Sequence, residues 1–461
     1  MATYKATIGL EIHAELKTAS KMFCACVNNP DEREPNKNVC PVCMAQPGTL
    51  PVINRDAVHK VLMVGTALGS TLADYTEFDR KNYFYPDIPK GYQLSQYAYP
   101  LVSGGSLHGI AITRIHLEED TARSQHQGNT SLVDYNRAGV PLMELVTEPV
   151  IHTAEDAGAF ARELQTLLRT LGAGEANMEK GEMRVEANIS ISADDTLGTK
   201  VEVKNLNSFR SVERAISFEI ARHTKLLDAG KAVEQETLGW DEAKQATFVQ
   251  RKKEKAHDYR YFPDPDLPKL KLSEIPEFSR EALTKALPEL PWDRRARFVI
   301  AGAKPEYAEM FVQNATLAAL FDGVEGDKAL AANYIGSDIA GLLAKEGSDG
   351  LSHITAAGLS AMLMAIAEGK LSSRGAKDAL AEVYTKGGDL AQVIQKYEQQ
   401  SDEGALKAIA QKVIDANPTV VAEFKAGKTA ALQFLVGQGM KESRGSANPE
   451  SLRLAISSLL A

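Results

Sequence analysis

The sequence lacks a long apolar run, an apolar signal core and an excess of positive charge. No stretch of about eighteen consecutive apolar residues occurs, which excludes a conventional membrane-spanning helix. The opening residues, MATYKATIGLE, do not resemble a secretory signal, so we expect a cytoplasmic protein with no membrane partner. The formal net charge is −9, so any contact with nucleic acid would require local basic patches.

Cysteine is also scarce, and its four residues lie close together. They form Cys24-x-Cys26 and, after thirteen residues, Cys40-Pro-Val-Cys43. Disulfides are not expected in the cytosol. Two close pairs supply four thiolates for one tetrahedral zinc, although a redox pair or free thiols are alternatives. Because four protein ligands leave no open position, we predict that the zinc only stabilises a loop at 24–43.

The patterns along the chain predict an α+β fold. Residues 1–292 mix alternating strand patterns with a few helices, one capped by Thr153 and another beginning after Ser208. After Trp292 the sequence becomes Ala-rich and helical, without a convincing strand pattern. We therefore predict an antiparallel-sheet domain at 1–292, an all-α domain at 293–403 and a small helical tail at 404–461.

One predicted strand has an unusual polar face. In TIGLEIHAEL, Thr7–Leu16, apolar residues alternate with polar ones, and the polar face carries Glu11, His13 and Glu15. Gly109–Asp120, Glu182–Ser192 and Thr199–Leu206 alternate in the same way. Their polar faces add Arg114, His116, Glu118, Asp120, Arg184, Glu186, Asn188, Ser190, Lys200, Glu202 and Lys204.

These polar faces have two interpretations. A sheet face of this kind is often simply solvated. However, grouped carboxylates repel each other unless a cation or a proton offsets them. Oxygen ligands with an imidazole suit magnesium or manganese held together with nucleotide phosphates. The residues alone leave both a metal-dependent site and a solvated face open.

A predicted loop places cations among aromatic residues. It is FDRKNYFYPDIPKGYQLSQY, Phe78–Tyr97. Interleaved cations and aromatic rings can stack a base and hold phosphates, whereas the rings can equally form a small core under the loop. Arg80 and Lys81 are the candidates for ligand contact.

Several longer stretches occur together in one order: IGLEIHAEL, FDRKNYFYPDIPKGYQLSQY, HLEEDTARS, VDYNRAGVPLMELVTEP, KNLNSF and DYRYFPDPDLP. In these stretches the chain resembles the GatB family, the B subunits of tRNA-dependent amidotransferases, over essentially its full length. The C-terminal ALQFLVGQGMKESRGSANP is similar to the YqeY-like tail of that family. The resemblance implies that the sheet domain is the family's cradle, which holds the active site.

The resemblance also implies an activity. A misacylated Glu-tRNA(Gln) or Asp-tRNA(Asn) would be activated by ATP as an acyl phosphate on its side-chain carboxylate. Ammonia from a separate glutaminase subunit would displace the phosphate, giving Gln-tRNA or Asn-tRNA, and a small third subunit would clamp the other two. The implied cofactors are ATP, Mg²⁺ and structural Zn²⁺.

Residue roles carried over from the resemblance fall on the polar face. The catalytic candidates are Glu11, His13, Glu118, Glu119, Glu144, Glu186, Lys81, Lys204 and Asn205. The expected magnesium ligands are Glu11, His13, Glu119 and Glu186, and the expected ATP contacts are Arg80, Lys81, Tyr83 and Lys204. Strand alternation puts Glu118 and Glu119 on opposite faces, so both can act in one site only through a bulge.

The resemblance further implies that the tail binds tRNA. Its cationic candidates are Lys407, Lys412, Lys425, Lys428, Lys441, Arg444 and Arg453. Two other functions remain open at this stage: a non-catalytic tRNA-binding scaffold, and a self-sufficient ATP-dependent carboxylate–ammonia ligase. An identifiable glutaminase nucleophile is absent from the sequence, which argues against the use of glutamine by the chain alone.

Overall fold

A computed structural model describes residues 3–252, 259–398, 403–443 and 447–460. The chain separates into a sheet unit, Met1–Pro291, and a helical unit, Trp292–Ala461. Within the described residues, none of the helices combines the length and apolar character needed to cross a membrane.

The sheet unit is built around one large sheet. Its strands, with those of two small two-stranded sheets, are β1 (Lys5–Glu15), β2 (Thr71–Leu72), β3 (Tyr75–Thr76), β4 (Asp79–Asn82), β5 (Tyr92–Ser95), β6 (Val102–Ser103), β7 (Ser106–Leu107), β8 (Ile110–Glu119), β9 (Arg123–Gln127), β10 (Thr130–Asp134), β11 (Pro141–Thr147), β12 (Met183–Ser192), β13 (Val201–Leu206), β14 (Glu236–Asp241), β15 (Ala246–Lys252), β16 (Phe262–Pro263) and β17 (Leu270–Lys271). The main order is β15-β14-β13-β12-β1-β11-β8-β5-β4-β16. The first predicted strand therefore lies in the middle of the sheet.

The central strands confirm the alternation found in the sequence. Ile8, Leu10 and Ile12 of β1 are at most 1% exposed, whereas the residues between them point to the other face. The same holds for β12 and β13, whose Val185, Ala187, Ile189, Val201 and Val203 are buried. One face of the sheet thus packs into the core, and the opposite face carries the ionisable groups.

The described part of the sheet unit contains four α-helices, of which the second and third lie at the positions predicted from the sequence. They are α1 (Arg55–Ala67), α2 (Ala154–Thr170), α3 (Phe209–Asp228) and α4 (Arg280–Ala286), with 3-10 turns at Leu272–Glu274 and Pro276–Phe278. Thr153 and Ser208 cap α2 and α3, since each side chain accepts a hydrogen bond from a backbone N–H in the first turn. The buried stripe of α2, which includes Phe160, Leu164 and Leu167, packs into the core.

Two features of the sheet differ from the sequence-based prediction. Phe78–Tyr97 is not simply a loop: β4 and β5 pair antiparallel within it and extend the main sheet. In addition, β13 and β14 pair in parallel, so the sheet is mixed and not purely antiparallel. The reason is the connection between them, because a helical crossover through α3 returns the chain in the same direction.

The helical unit contains α5 (Pro291–Ile300, which begins at the unit boundary), α6 (Pro305–Gln313), α7 (Ala315–Gly323), α8 (Lys328–Asn333), α9 (Ala340–Glu346), α10 (Ala356–Ala367), α11 (Ser373–Lys386), α12 (Leu390–Val393), α13 (Glu403–Ala416), α14 (Pro418–Lys425), α15 (Ala430–Glu442) and α16 (Pro449–Leu460). A π-helical turn spans Tyr334–Ile339, and 3-10 turns span Asp349–His353 and Ile394–Tyr397. Among its described residues, one buried cluster extends from Phe298 to Ile394 and a second from Leu406 to Leu460. The helical unit therefore has a separate core in the predicted tail.

Candidate functional site

Strand register brings the ionisable side chains of the sheet together. On neighbouring strands, His116 of β8 lies opposite Glu144 of β11, which lies opposite His13 of β1. His13 in turn lies opposite Arg184 of β12. One row across four strands thus contains three basic groups and the carboxylate of Glu144, because each strand presents its polar face on the same side of the sheet.

Glu118 joins this row from the next polar position of β8. His13 Nε2 lies 3.3 Å from Glu118 Oε1 and 3.4 Å from Glu144 Oε2. His116 Nε2 lies 3.5 Å from the same Glu144 oxygen. Burial alone would lower the pKa of His13, but hydrogen bonds with Glu118 and Glu144 outweigh it and raise that pKa well above its ordinary value. Burial lowers the pKa of His116.

A second group of carboxylates adjoins the first. Glu11 lies opposite Glu186 in the β1–β12 register, and suitable oxygen atoms of Glu11, Glu186 and Glu202 all lie within 4.8 Å of one another. Lys204 contacts Glu186 directly, and its Nζ lies 3.4 Å from Glu202 Oε1. Burial, together with the neighbouring Glu144, raises the pKa of Glu11 to about 7. This raised pKa indicates that the carboxylates are crowded and that a further cation would be favoured here.

Two adjoining cavities open onto these groups, and we refer to them together as the polar cavity. The smaller, about 300 Å³, and the larger, about 540 Å³, share the lining residues Glu11, Lys81, Lys204 and Tyr259. Burial opposes the charge of Lys81, but the carboxylates of Glu118 and Glu144 outweigh it and raise the pKa of this lysine. Lys81 therefore remains an ammonium group beside the acidic cluster.

Several predicted site residues lie in the polar cavity. Those on its lining are Glu11, His13, Lys81, Tyr83, Glu118, Glu144, Glu186 and Lys204. Glu11, His13 and Glu144 also offer ligand atoms within 4.8 Å of one another, as do His116, Glu118 and Glu144. The roles of these residues as ligands or catalysts stay predictions, but the structure brings their side chains together.

Glu119 lies elsewhere. Its carboxylate contacts Lys90 and accepts a hydrogen bond of 3.0 Å from the backbone N–H of Leu94. Both Glu119 and Lys90 line a different cavity, of about 250 Å³, together with Cys24 and Cys43. The register of β8 against β11 runs through Glu118 and Glu119 without a shift. Since no bulge interrupts this described part of β8, Glu119 points away from Glu11, His13 and Glu186, the other predicted magnesium ligands.

Arg80 and Asn205 also lie apart from the cluster. Arg80 Nε lies 2.5 Å from Asp264 Oδ2 and its Nη2 lies 3.0 Å from Asp266, so its guanidinium group is engaged within the protein. Because β4 is a strand, Arg80 and Lys81 face opposite sides of the sheet. Asn205 is exposed, with a φ of +64°, next to the irregular pairing of β12 with β13.

Other residues of the polar cavity were not among the predicted site residues. Tyr97, Tyr259 and Tyr261 line it, together with Arg114 and Asn188. The strand alternation had already put Arg114 and Asn188 on the polar face, and this was the available signal. Tyr97 belongs to the predicted aromatic segment Phe78–Tyr97, whereas Tyr259 and Tyr261 lie outside the long alternating strands and only tertiary pairing brings them to the cavity.

The four cysteines converge as predicted from their spacing. One Sγ atom from each of Cys24, Cys26, Cys40 and Cys43 lies within 4.8 Å of the others. The backbone N–H of Cys40 also lies 3.1 Å from Cys43 Sγ. Four sulfur donors at this separation fit one tetrahedral zinc ion, which would hold the loop closed.

Two parts of the chain match known protein families. Residues 6–276, more than half of the chain, match the family described as the GatB/GatE catalytic domain. Residues 320–460 match the GatB domain. The chain is therefore built from a catalytic domain and a C-terminal module of one protein class, and it belongs to the GatB family.

Full-length relatives agree with this membership. The chain is 43% identical to the B subunit of an aspartyl/glutamyl-tRNA(Asn/Gln) amidotransferase of Thermus thermophilus, with 98% of each chain covered. It is 43% identical to the protein of that name from Dehalococcoides mccartyi, with 97% of each covered. It is 41% identical to the Carboxydothermus hydrogenoformans protein over the full length of both. The family resemblance stated from the sequence is confirmed.

Proposed function

We propose that this chain is the component of a tRNA-dependent amidotransferase that converts misacylated Glu-tRNA(Gln), Asp-tRNA(Asn) or both to the amide forms. It is a carbon–nitrogen ligase of translation, and we place it in the cytoplasm. The observation that supports this function best is the polar cavity, where carboxylates and imidazoles lie beside Lys81 and Lys204. Relatives that bear the amidotransferase name over the full chain length support the same reaction.

The donor atoms of the cavity fit magnesium. Glu11, His13 and Glu144 offer ligand atoms within 4.8 Å of one another, Glu118 Oε1 lies 3.3 Å from His13 Nε2, and hard cations prefer oxygen donors. In addition, Glu118 Oε2 is buried without a hydrogen-bond partner in the described part of the chain, which leaves a lone pair available. Glu11, His13 and Glu144, with Glu118 and Glu186 close by, would hold Mg²⁺, which would neutralise phosphate charge during transfer.

The side chains of the cavity supply orientation and charge. The reaction brings together two anions, the side-chain carboxylate of the aminoacyl group and the γ-phosphate of ATP. Lys81 and Lys204 are distant in sequence but line the same cavity, and both keep a raised pKa. They would therefore orient these anions as permanent cations. The carboxylate oxygen attacks the γ-phosphorus, ADP leaves, and ammonia then displaces phosphate from the acyl carbon.

The remaining components of the reaction come from outside the chain. We propose that ammonia is supplied by a glutaminase subunit and that a small third subunit completes the complex. The names of the relatives support this proposal, because they describe one subunit of a larger amidotransferase. We also propose that zinc occupies the four-cysteine site and has a structural role, because four thiolates leave no position for a substrate.

The test is to assemble the chain with both partner subunits and supply [γ-³²P]ATP, glutamine and misacylated tRNA. We expect ADP and inorganic phosphate to form only with misacylated tRNA, together with Gln-tRNA or Asn-tRNA. His13→Ala should abolish this ATP cleavage, whereas His152→Ala, at an exposed histidine of the same unit, should not. Tight tRNA binding without ATP cleavage would instead favour the scaffold, and full amidation by the chain alone with free ammonia would favour the self-sufficient ligase.

A further inference from the structure

Tyrosine rings form one wall of the polar cavity, and the reaction described above assigns them no role. Tyr97, Tyr259 and Tyr261 all line its smaller part. The rings of Tyr97 and Tyr261 are stacked, with centroids 4.2 Å apart and planes within 11° of parallel. Tyr259 meets Tyr261 edge to face at 6.0 Å.

The outer ring of this stack is exposed although its backbone is firmly held. Tyr97 is 58% exposed, whereas Asp79, which fixes it, is only 3% exposed. Asp79 Oδ2 accepts hydrogen bonds from the backbone N–H groups of Tyr97 (3.0 Å) and Ala98 (3.2 Å). A buried carboxylate therefore holds in place a ring with a face available to a ligand.

The backbone that leads into the inner ring, Tyr261, is also held by specific contacts. Asn82 Nδ2 donates hydrogen bonds to the carbonyl oxygens of Tyr259 (3.1 Å) and Arg260 (2.9 Å). Arg260 adopts a φ of +46°, in the left-handed region, which directs the chain into Tyr261. After Tyr261, β16 pairs with β4. The backbone beside each ring is thus held in place and the rings are stacked on each other, which lowers the entropy cost of binding a flat ligand against them.

Cations and the acidic cluster occupy the same cavity as the rings. Lys81 Nζ lies 5.0 Å from the centre of the Tyr259 ring, and Arg114, Lys200 and Lys204 complete the cationic lining. Glu11 and Glu144 of the acidic cluster also line this part of the cavity. An aromatic stack, cationic side chains and grouped carboxylates that fit a divalent cation together match the base, the phosphates and the bound metal of a nucleotide.

We propose that the Tyr97–Tyr261 stack is a platform on which an adenine ring binds, with the phosphates of its nucleotide directed towards the cations of the polar cavity. This inference rests on the proposed function and adds to it the contact that recognises the base. Two substrates of the proposed reaction carry adenine, namely ATP and the 3′-terminal adenosine of tRNA. The experiment distinguishes between them.

The variants are Tyr97→Ala, which removes the outer ring, and Tyr97→Phe, which keeps it. The matched control is Tyr99→Ala, since Tyr99 is also exposed (49%) but packs edge to face on Tyr75. In the complete complex, KM is measured separately for ATP and for misacylated tRNA. Equilibrium dialysis with ATP, and competition by inorganic triphosphate, provide readouts that do not require turnover.

Stacking of a base on an aromatic side chain contributes enough that Tyr97→Ala should weaken one adenosine-bearing substrate about 5- to 100-fold. In Tyr97→Phe and Tyr99→Ala, KM and the affinity for ATP should stay within about twofold of the wild-type values, because both variants keep an aromatic ring at position 97. Binding of inorganic triphosphate, which has no base, should not change. A weaker ATP interaction identifies the ATP base, and a raised KM for tRNA alone identifies the terminal adenosine.

The proposal is overturned if Tyr97→Ala leaves both substrates unaffected, or if Tyr99→Ala causes the same loss. It is also overturned if triphosphate binding weakens as much as ATP binding, since the effect would then concern phosphates or general damage. A wild-type complex that binds ATP in a Tyr97-dependent way but amidates no tRNA would contradict the proposed function and support the platform.

Discussion

At the scale of single residues, the side chains around His13 are stabilised because histidines and carboxylates of opposite charge lie side by side. His13 lies between Glu118 and Glu144, and Glu144 also lies near His116. Each carboxylate in such a group requires a nearby positive charge, which a proton or a metal ion can supply. A divalent cation would therefore take over a charge that the protonated imidazole provides in its absence.

The first prediction distinguishes the ligands of that cation. Glu11→Gln should raise the Mg²⁺ concentration needed for half-maximal tRNA-dependent ATP cleavage by at least about tenfold. Substitution of a residue that only hydrogen-bonds a metal ligand already has an effect of this size, and loss of a ligand should have at least as large an effect. Glu119→Gln should leave that concentration unchanged, since Glu119 contacts Lys90 in a separate cavity. The measurement is the initial rate of ADP formation across a Mg²⁺ titration of the complete complex.

The Glu119→Gln variant should instead be less stable than the wild type, and this loss of stability is a second measurement on that variant. Removing its charge leaves the mostly buried Lys90 without that partner, which should lower the free energy of unfolding by about 3 kcal/mol. An equal rise in the Mg²⁺ requirement for both variants would show that Glu119 belongs to the metal site after all.

The limits of prediction from sequence are clear at this scale. Alternation correctly placed Glu11, His13 and Glu118 on one face, because side chains of a strand point to alternate sides. It could not assign Arg80, because the four residues of β4, DRKN, have none of the apolar alternation that indicates a strand. The distinction between Arg80, bound to Asp264, and Lys81, in the cavity, depends on tertiary pairing.

At the scale of elements, the segment 24–43 is notable for its four converging cysteines. All of its residues are described, and they form no helix and no strand beyond an isolated bridge at Val27; its bonds to the rest of the sheet unit include Asn38 N–H to Asn136 Oδ1 at 2.8 Å. A metal bound by all four thiolates would supply the local stability that a short loop without a core lacks.

The second prediction follows from this closed site. Cys40→Ser should abolish stoichiometric zinc and lower the thermal midpoint, while the amidation rate per folded molecule stays nearly unchanged. Zinc content is measured by elemental analysis, and the folded fraction by circular dichroism. Wild-type protein without stoichiometric zinc would contradict this role, and so would a folded Cys40→Ser protein that is inactive.

Helix α3 provides a second element whose stability depends on a buried charge. Glu219 is fully buried and accepts hydrogen bonds from Arg222 Nε (2.9 Å) and from Thr247 Oγ1 of β15 (2.8 Å). His223 Nε2 lies 3.2 Å from its other oxygen. Although burial opposes it, these bonds lower the pKa of Glu219 to about 2. The ionised carboxylate therefore joins α3 to the edge of the sheet.

The third prediction is the pH dependence of this link. The folded-state pKa lies below the ordinary 4.5, so the stabilisation is complete above pH 4.5 and is lost as the pH falls towards 2. Glu219→Gln should therefore remove about 3 kcal/mol at neutral pH and flatten the decline in stability across that acidic range. Unfolding in urea is followed through Trp240, which packs on Phe218 of α3, in a Trp292→Phe background.

The control for this variant is Glu234→Gln, at an exposed carboxylate of the same unit. Equal pH profiles for Glu219→Gln and Glu234→Gln would show that the buried link contributes nothing.

The parallel pairing of β13 with β14, which sets the edge strand β15 beside α3, was not predictable from alternation, because residues within a strand do not encode the direction of its neighbour.

At the scale of the whole molecule, charge is distributed unevenly. The chain has a net charge of −9, yet the sequence from 404 to 461 has seven Lys and Arg residues against four Asp and Glu residues. This segment also has its own buried cluster, which includes Leu406, Leu435 and Leu452. We therefore keep 404–461 as a proposed tail domain that provides local positive potential in an acidic protein.

Ion pairs reduce the number of tail cations that are available to a ligand. Lys412 contacts Glu442, Lys428 Nζ lies 3.0 Å from Glu423 Oε2, and Arg453 pairs with Glu450. Lys425 and Lys441 form no such pair with the described residues, and Arg444 lies outside the described residues. We expect Lys425 and Lys441 to contribute most among the described tail lysines to binding a polyanion.

The last prediction concerns the tail and its proposed tRNA contact. Phosphate contacts release counterions, so each one lost makes the dependence of binding on salt less steep. Deleting 404–461 should weaken tRNA binding, flatten its salt dependence and raise the KM for misacylated tRNA, while glutamine hydrolysis without tRNA and assembly with the partner subunits persist. Lys425→Glu with Lys441→Glu should reproduce part of the effect, whereas Lys231→Glu, the same charge change at an exposed lysine of the sheet unit, should not. The measurement is tRNA affinity across a salt titration of the complete complex, and an unchanged affinity and slope in the truncated complex would exclude the tail as a tRNA contact.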